Sequence, residues 1–301
     1  MKKQLSLIVA LLFGFGLIMA QDEEAPKKKV KERPVSGFMG SSVLIDDQTS
    51  WTPAQKVLEM HIQHRFGLIK ENGLSDLYGI YAPSANTRMA LNYSILDNLV
   101  VSYGITRKNM YSDFGVKWTF LRQSRSGKIP LNVGIYANMA IDGRNKTVYE
   151  GEEEYQFLNR LSYFSQLIVG RKFTDWFTLE LHASFTHYNA MPADEVSYKG
   201  WDHDFGWGGH ARFKFSSQSS FIIMFSAPVY IHSLSENYES QNPFKSNFGF
   251  GYEVATASHA FQIFVTTSNG ILPQDIYMYN NSDWTKGEFR FGFNITRLWE
   301  F

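Results

Sequence analysis

Residues 287–301 read GEFRFGFNITRLWEF, and the alternation in this stretch decides the fold. Phe289, Phe291, Phe293 and Ile295 recur at every second position, followed by Trp299 and Phe301. Glu288, Arg290, Gly292, Asn294 and Thr296 stand between them. Successive side chains of a strand point to opposite faces, so period two means one greasy and one polar face. A frayed polar tail is the usual end of a soluble domain. A patterned end is expected where the last strand is paired, as in a closed barrel.

Working outward, the pattern recurs from Lys56 onward, giving twelve alternating segments in all. In KVLEMHIQHRF (56–66), Leu58, Met60, Ile62 and Phe66 oppose Val57, Glu59, His61, Gln63 and Arg65. Met89, Leu91, Tyr93 and Ile95 oppose Arg88, Ala90, Asn92 and Ser94. Phe114, Val116, Trp118 and Phe120 oppose Gly115, Lys117 and Thr119, and Phe177, Leu179, Leu181, Ala183 and Phe185 oppose Thr178, Glu180, His182, Ser184 and Thr186. The sixth segment, 159–171, is the least regular, because Phe164 and Ile168 interrupt its polar face.

A soluble sandwich also alternates, with its apolar face turned into a core. Two features favour a membrane. Many segments run ten residues or more, and membrane strands need roughly nine to eleven where soluble strands average about five to six. The apolar face also carries almost no charge. Its ionisable members, His64, His187 and Arg297, fall near segment ends, where long side chains can reach water. Connections after odd segments are long or polar (67–86, 142–155, 188–203, 232–245, 268–286), and those after even segments are mostly short (96–98, 172–175, 256–259). The expected fold is therefore all-β: an antiparallel up-and-down transmembrane β-barrel of about twelve strands, with long extracellular loops and short periplasmic turns.

Composition agrees. Aromatics make up 16% of 301 residues, with 25 Phe and 16 Tyr. Charges balance at 29 basic and 29 acidic, which gives no reason to expect a nucleic-acid partner. There is no Cys, which excludes disulfides, thiolate metal sites and Cys nucleophiles. Lys2 and Lys3 followed by the apolar run Leu5–Ala20 read as a secretory signal peptide, 1–20. The charged stretch QDEEAPKKKVKERP opens a flexible periplasmic leader, 21–50. Within it, SGFMGSSVLIDD is left open as a short strand or a segment that enters the lumen. The barrel is assigned to 51–301.

WTPAQKVLEMHIQHRFGLI (51–69), ANTRMALNYSILDNLVVSYGITR (85–107), DFGVKWTFLRQ (113–123) and FGFNITR (291–297) resemble pieces of an uncharacterised outer-membrane β-barrel family of Gram-negative bacteria. The resemblance implies fold and location, and transfers no active-site residue. The aromatic final strand also resembles the targeting signal of outer-membrane barrels. In that resemblance Gly292, Phe293, Ile295, Trp299 and Phe301 are the positions read by the insertion machinery.

The candidate chemistry is sparse. His61 and His64 have metal-pair spacing for a helix, but on a strand they point to opposite faces. His182 and Ser184 share a face with Glu180, which suits a hydrolase or simply a hydrogen-bonded polar lumen. FGWGGH (205–210) has no helix after it to form a phosphate loop, so its glycines relieve crowding or allow bending. No catalytic residue, cofactor or metal is assigned.

The lumen face is expected to carry Glu59, His61, Arg65, Arg88, Lys117, Glu180, His182, His210, Arg212, Lys214, Glu253, Glu288 and Arg290. Its two signs nearly cancel, which suits either a closed network or a weakly selective channel. The leading expectation is passage of a small polar solute. The alternatives are a non-conducting barrel that docks a partner through Tyr277, Tyr279, Trp284, Tyr238 and Trp201, or a lipid-acting enzyme at His182 and Ser184. The expected partners are outer-membrane lipid, the barrel-insertion machinery and the solute.

Overall fold

The computed structural model describes residues 32–149, 155–191, 200–229 and 244–301, without the side chains of 200–203. The signal segment and the leader as far as residue 31 lie outside the described residues, as does Tyr238. Residues Pro34–Phe301 form one compact unit.

Twelve antiparallel strands close into a barrel: β3 (Val57–Leu68), β4 (Asn86–Leu96), β5 (Leu99–Thr106), β6 (Ser112–Leu121), β7 (Asn132–Ile141), β8 (Leu161–Lys172), β9 (Phe177–Met191), β10 (Gly200–Lys214), β11 (Ser219–Val229), β12 (Asn247–Ala255), β13 (His259–Thr266) and β14 (Arg290–Glu300). Every neighbour in sequence is a neighbour in space, and β14 pairs with β3 to close the ring. That seam runs from Glu300 opposite Val57, through Ile295 opposite Ile62, to Arg290 opposite Leu68, with a bulge between Arg290 and Gly292. The patterned end of the sequence is thus a fully paired strand, and the barrel wall has no open edge.

The two faces follow the alternation. On β4, Asn86, Arg88, Ala90, Asn92 and Ser94 are buried, while Met89, Leu91, Tyr93 and Ile95 are exposed. On β6, Asp113, Lys117 and Thr119 are buried, while Phe114, Val116, Trp118 and Phe120 are exposed. A water-soluble protein would bury the second set. Here Trp118, Trp207 and Ile263 face outward at 49%, 53% and 67% exposure, and charged groups line the bore. Only a hydrocarbon surround makes that arrangement favourable.

The strands alternate direction, so their connections gather at two ends. At one end lie short turns such as 97–98, 173–176 and 256–258, together with the start of β3 and the end of β14. At the other lie longer connections such as 69–85 and 267–289.

Residues 38–50, which fall within the stretch 21–50 expected to be a flexible leader, are almost all buried. The chain leaves the short-turn end at Pro34, which bridges to Ser124, and passes up the bore. It turns back through a small hairpin, β1 (Val43–Leu44) and β2 (Asp47–Gln48). It returns to the short-turn end, where Thr52 Oγ1 donates to Asp97 O and Lys56 N to Ser94 O. Of the two alternatives left open for this stretch, both features are present: it forms a short strand pair and it occupies the lumen.

The turn places Ile45 at φ 57°, a left-handed conformation that β-branched residues avoid. Side chains of the wall hold it there. Ile45 N donates to Gln262 Oε1, and Ile45 O accepts from Arg65 Nη2 and Asn294 Nδ2. Strain of this kind persists where the surroundings over-determine the backbone.

Candidate functional site

The bore is the candidate site, and among the described residues it is filled chiefly by two segments that are not part of its wall. The wall first neutralises part of its own charge. Arg88 makes a two-pronged bond to Asp113, at 2.9 and 2.6 Å, and Arg212 Nε donates to Glu253 Oε1 at 2.6 Å. His61 Nε2 lies 3.0 Å from Glu59 Oε1. All six residues are buried, as charged groups in a narrow interior can be only when paired.

The hairpin supplies the remaining partners. Asp46 takes Arg65, at 2.9 Å from Nε and 2.6 Å from Nη2, and also accepts from Asn247 and Thr266. Asp47 faces His182 and His210. Ser42 donates its hydroxyl to Glu59, and its carbonyl accepts from Lys117 Nζ at 2.8 Å. Ser50 binds Glu180 through both its amide and its hydroxyl. One apolar contact completes the fit: Phe38, Met39, Leu44 and Ile45 pack on Ile222, Met224 and Phe264 of the wall. Between the hairpin and the β3–β7 side remains a cavity of about 20 Å³, bordered by His61, Arg88, Lys117 and Tyr136. That is room for about one water molecule.

The second segment descends from the long-connection end. It contains the one-and-a-half-turn helix α1 (Pro273–Met278), all six residues of which are buried. Tyr277, Met278 and Tyr279 join Tyr136, Phe164, Ile168, Tyr188 and Met191 in an apolar cluster. Phe164 and Ile168, the two residues that interrupt the sixth segment's polar face, therefore pack against this inner segment. Asp275 accepts from the hydroxyls of Tyr111 and Tyr188 at 3.1 and 2.8 Å. Burial and the Asp275 charge hold the Tyr111 phenol well above its ordinary range, so it stays a donor. The two inner segments meet at His182, whose Nε2 faces Asp47 and whose Nδ1 faces Tyr277 Oη at 3.4 Å.

Of the residues expected on the lumen face, Glu59, His61, Arg65, Arg88, Lys117, Glu180, His182, His210, Arg212, Glu253 and Arg290 are buried inside the barrel. Lys214, the last residue of β10, is half-buried at the short-turn end. Glu288 precedes β14, in the 267–289 connection, where it is half-buried and accepts from the Asp283 amide. His61 and His64 point to opposite faces, His64 stacking on Phe293 outside. His182 uses its ring nitrogens on Asp47 and Tyr277 and makes no hydrogen bond to Ser184.

Gly206 and Gly208 are needed for space. A Cβ at 206 would sit 2.2 Å from Tyr277 Cε1, and one at 208 would sit 2.6 Å from His182 Cε1. Of the loop aromatics proposed for docking, Tyr277 and Tyr279 are buried, and Trp284 Nε1 donates to Ser246 Oγ. On β14, Phe293, Ile295 and Trp299 lie on the outer face, Gly292 is buried, and Phe301 follows the strand, its amide donating to Lys56 O.

Sequence reasoning missed Ser50 and Tyr277 as bore residues, and it reached Asp46 and Asp47 only as part of a stretch left open as a lumen-entering segment. The available signal was VLIDD, three apolar residues and two acids inside a polar leader.

Residues 39–299 match the family model described as "Membrane bound beta barrel domain (DUF5777)". No curated protein matches the sequence. Among solved structures, the chain is similar to the COG4313 outer membrane channel from Pseudomonas putida F1, with 11% identity, a TM-score of 0.47, and coverage of 83% of this chain and 97% of that one. It is also similar to the KdgM porin (6% identity, TM-score 0.44, coverage 81% and 99%). The third similarity is to the outer membrane protein Omp33 of Acinetobacter baumannii (10% identity, TM-score 0.38, coverage 82% and 100%).

Proposed function

The chain belongs to this family of membrane-bound β-barrel domains, and from that premise we propose that it is an outer-membrane conduit for small polar solutes, closed in this structure by its own N-terminal hairpin. The protein is an outer-membrane β-barrel, so one end of its bore faces the periplasm and the other the exterior. In this reading the short turns and the 34–56 segment are periplasmic, and the long connections are external. Lipid covers the outward Phe, Trp and Leu rows, and the β14 pattern with Phe301 serves the insertion machinery.

One observation carries the reading. The material that fills the bore between Phe38 and Ser50 is not wall. It is a separable stretch of chain bonded to a polar lining through side chains. Twelve-stranded barrels are wider than the eight-stranded kind that their own side chains fill, and narrower than open porins. In this reading the bore conducts when the hairpin leaves, past α1 as a fixed narrowing, and is closed while the hairpin stays. The lining left behind would be mainly charged and hydrogen-bonding, interrupted by the apolar patch of Ile222, Met224 and Phe264, which suits polar solutes better than apolar ones.

The test is planar-bilayer recording of the full mature chain beside a variant lacking residues 34–50. Folding of each barrel is checked by its heat-dependent electrophoretic mobility. The full chain is expected to be closed with rare openings, and the deletion variant to conduct steadily. A folded deletion variant that passes no ions overturns the proposal.

A further inference from the structure

Three buried side chains from two different parts of the chain converge in the bore: Asp47 of the hairpin, His182 of β9 and His210 of β10. One possible ligand atom from each lies within 4.8 Å of the others. His182 Nε2 and His210 Nδ1 stand 3.0 and 3.3 Å from the same oxygen, Asp47 Oδ2. A metal ion with N and O ligands at about 2.0–2.1 Å sets adjacent tetrahedral ligand atoms roughly 3.3 Å apart.

The hydrogen-bond pattern around His210 points the same way. Its Nε2 lies 2.8 Å from Glu180 Oε2. A carboxylate only accepts, so the proton sits on Nε2. That leaves Nδ1, 3.3 Å from Asp47 Oδ2, as the ring atom that can be given either to a proton shared with Asp47 or to a cation bound beside it. Glu180 also does what a carboxylate behind a metal-bound His does: it fixes the ring's tautomer and orientation.

Charge gives a second reason. Asp47 and Glu180 are both buried, and among the described residues their ion-pair partners are these two imidazoles. A divalent cation with two neutral imidazoles balances two carboxylates. The backbone makes room for the arrangement. Gly208 spares His182, and a Cβ at Gly170 would fall 2.5 Å from Glu180 Oε1.

We propose that Asp47, His182 and His210 bind a first-row divalent transition metal of the zinc type, tying the hairpin to the wall. Two imidazoles and one carboxylate suit Zn²⁺, Co²⁺, Ni²⁺ or Fe²⁺, and not the all-oxygen demand of Ca²⁺ or Mg²⁺. Binding displaces any proton held between His182, His210 and Asp47. Because one ligand belongs to the hairpin and two to the wall, the metal acts as a latch. That consequence rests on the conduit reading, whereas the binding itself does not.

The test uses the full mature chain in detergent, stripped with chelator and titrated with Co²⁺. One equivalent is expected, giving the visible bands of a nitrogen-ligated, low-coordinate Co²⁺, with Zn²⁺ displacing it. Asp47→Asn and His182→Ala are expected to abolish that signal. Glu180→Gln is expected to weaken binding about 10–100-fold, and Ser184→Ala to leave it intact. Heat-dependent mobility again confirms that each variant is a folded barrel. No stoichiometric Co²⁺ site in the wild-type chain overturns the proposal, as does an unchanged site in Asp47→Asn, which would mark binding at other His residues. A second arm adds Zn²⁺ and then chelator to the bilayer recording. Openings are expected to fall and then recover in the wild type, and to be indifferent in His182→Ala. If Co²⁺ binds as described but the 34–50 deletion never conducts, the metal site stands and the conduit reading fails.

Discussion

Two segments enter the same bore from opposite ends, and they are held by different physics. The hairpin of residues 38–50 is fixed mainly by charge and hydrogen bonds. Asp46 answers Arg65, Asp47 answers two imidazoles, and Ser42 and Ser50 answer Glu59 and Glu180. The α1 segment is fixed mainly by rings and sulfur. Tyr277 stacks on Phe164 at 5.8 Å, Tyr188 meets Tyr279 edge-on at 5.3 Å, and Met278 is wholly buried.

The difference bears on which segment can move. When a polar insert withdraws, water can take over its bonds to the wall, so the net cost is the small difference between protein and water partners. When an apolar insert withdraws, Tyr136, Phe164 and Ile168 are left facing water at roughly 25 cal/mol per Å². The hairpin is therefore the better candidate for a gate, and α1 for a fixed lid. The hairpin is not wholly polar, because Leu44 and Ile45 pack on Ile222, Met224 and Phe264. That contact gives it a resting position in the bore instead of a purely ionic hold.

The most disruptive single change should be Asp46→Ala. It leaves Arg65, which is fully buried, without its acid, and breaking a buried pair from one side costs about 3–5 kcal/mol. That cost falls on the docked state alone, because an undocked hairpin exposes Arg65 to water. The expected outcome is a large rise in open time in bilayers and faster proteolysis within 34–50, with the barrel's melting little changed. If the barrel itself melts early while the hairpin stays protected, the division into gate and wall is wrong.

Gly206→Ala probes the lid by steric means. The added methyl would sit 2.2 Å from Tyr277 Cε1, so α1 must shift, at about 1–3 kcal/mol for overpacking. Lower thermal stability with unchanged conductance is expected. A jump in conductance comparable to that of Asp46→Ala would make α1 a gate as well.

The wall was legible because its physics is periodic. Each strand separates lipid from a polar bore, so residues such as Met89 and Arg88, or Trp118 and Lys117, declare opposite faces by parity alone. The contents of the bore were not legible to the same degree. β1 and β2 are two residues each, too short to show a period, and their turn puts Ile45 in a conformation its side chain disfavours. Phe164, Ile168, Ile222 and Met224 look misplaced on a polar face until their partners from 38–50 and 271–279 are known. Tyr277 and Tyr279 read as loop aromatics because nothing local marks a connection that folds inward. Glu288 kept the parity of β14 but lies before the strand begins, where alternation no longer implies a face. His182 and Glu180 were placed in the bore by parity, whereas their partners Asp47 and Ser50 lie some 130 residues away in sequence.

The smallest expected effect separates the two halves of the lid's own contact with the wall. Tyr277 touches His182 through its hydroxyl at 3.4 Å, long for a hydrogen bond, while its ring stacks on Phe164. If the ring holds α1, Tyr277→Phe keeps the stacking and loses only the hydroxyl's contribution, about 0.5–1.5 kcal/mol at most. The barrel's melting should then move little, and Co²⁺ binding at His182 should persist, because the ring nitrogen that faces Asp47 is not the one that faces Tyr277. A loss of several degrees together with loss of Co²⁺ would mean that the hydroxyl fixes the His182 tautomer. The lid and the hairpin would then be coupled through that one imidazole, and the contrast between a polar gate and an apolar lid would have to be given up at the residue they share.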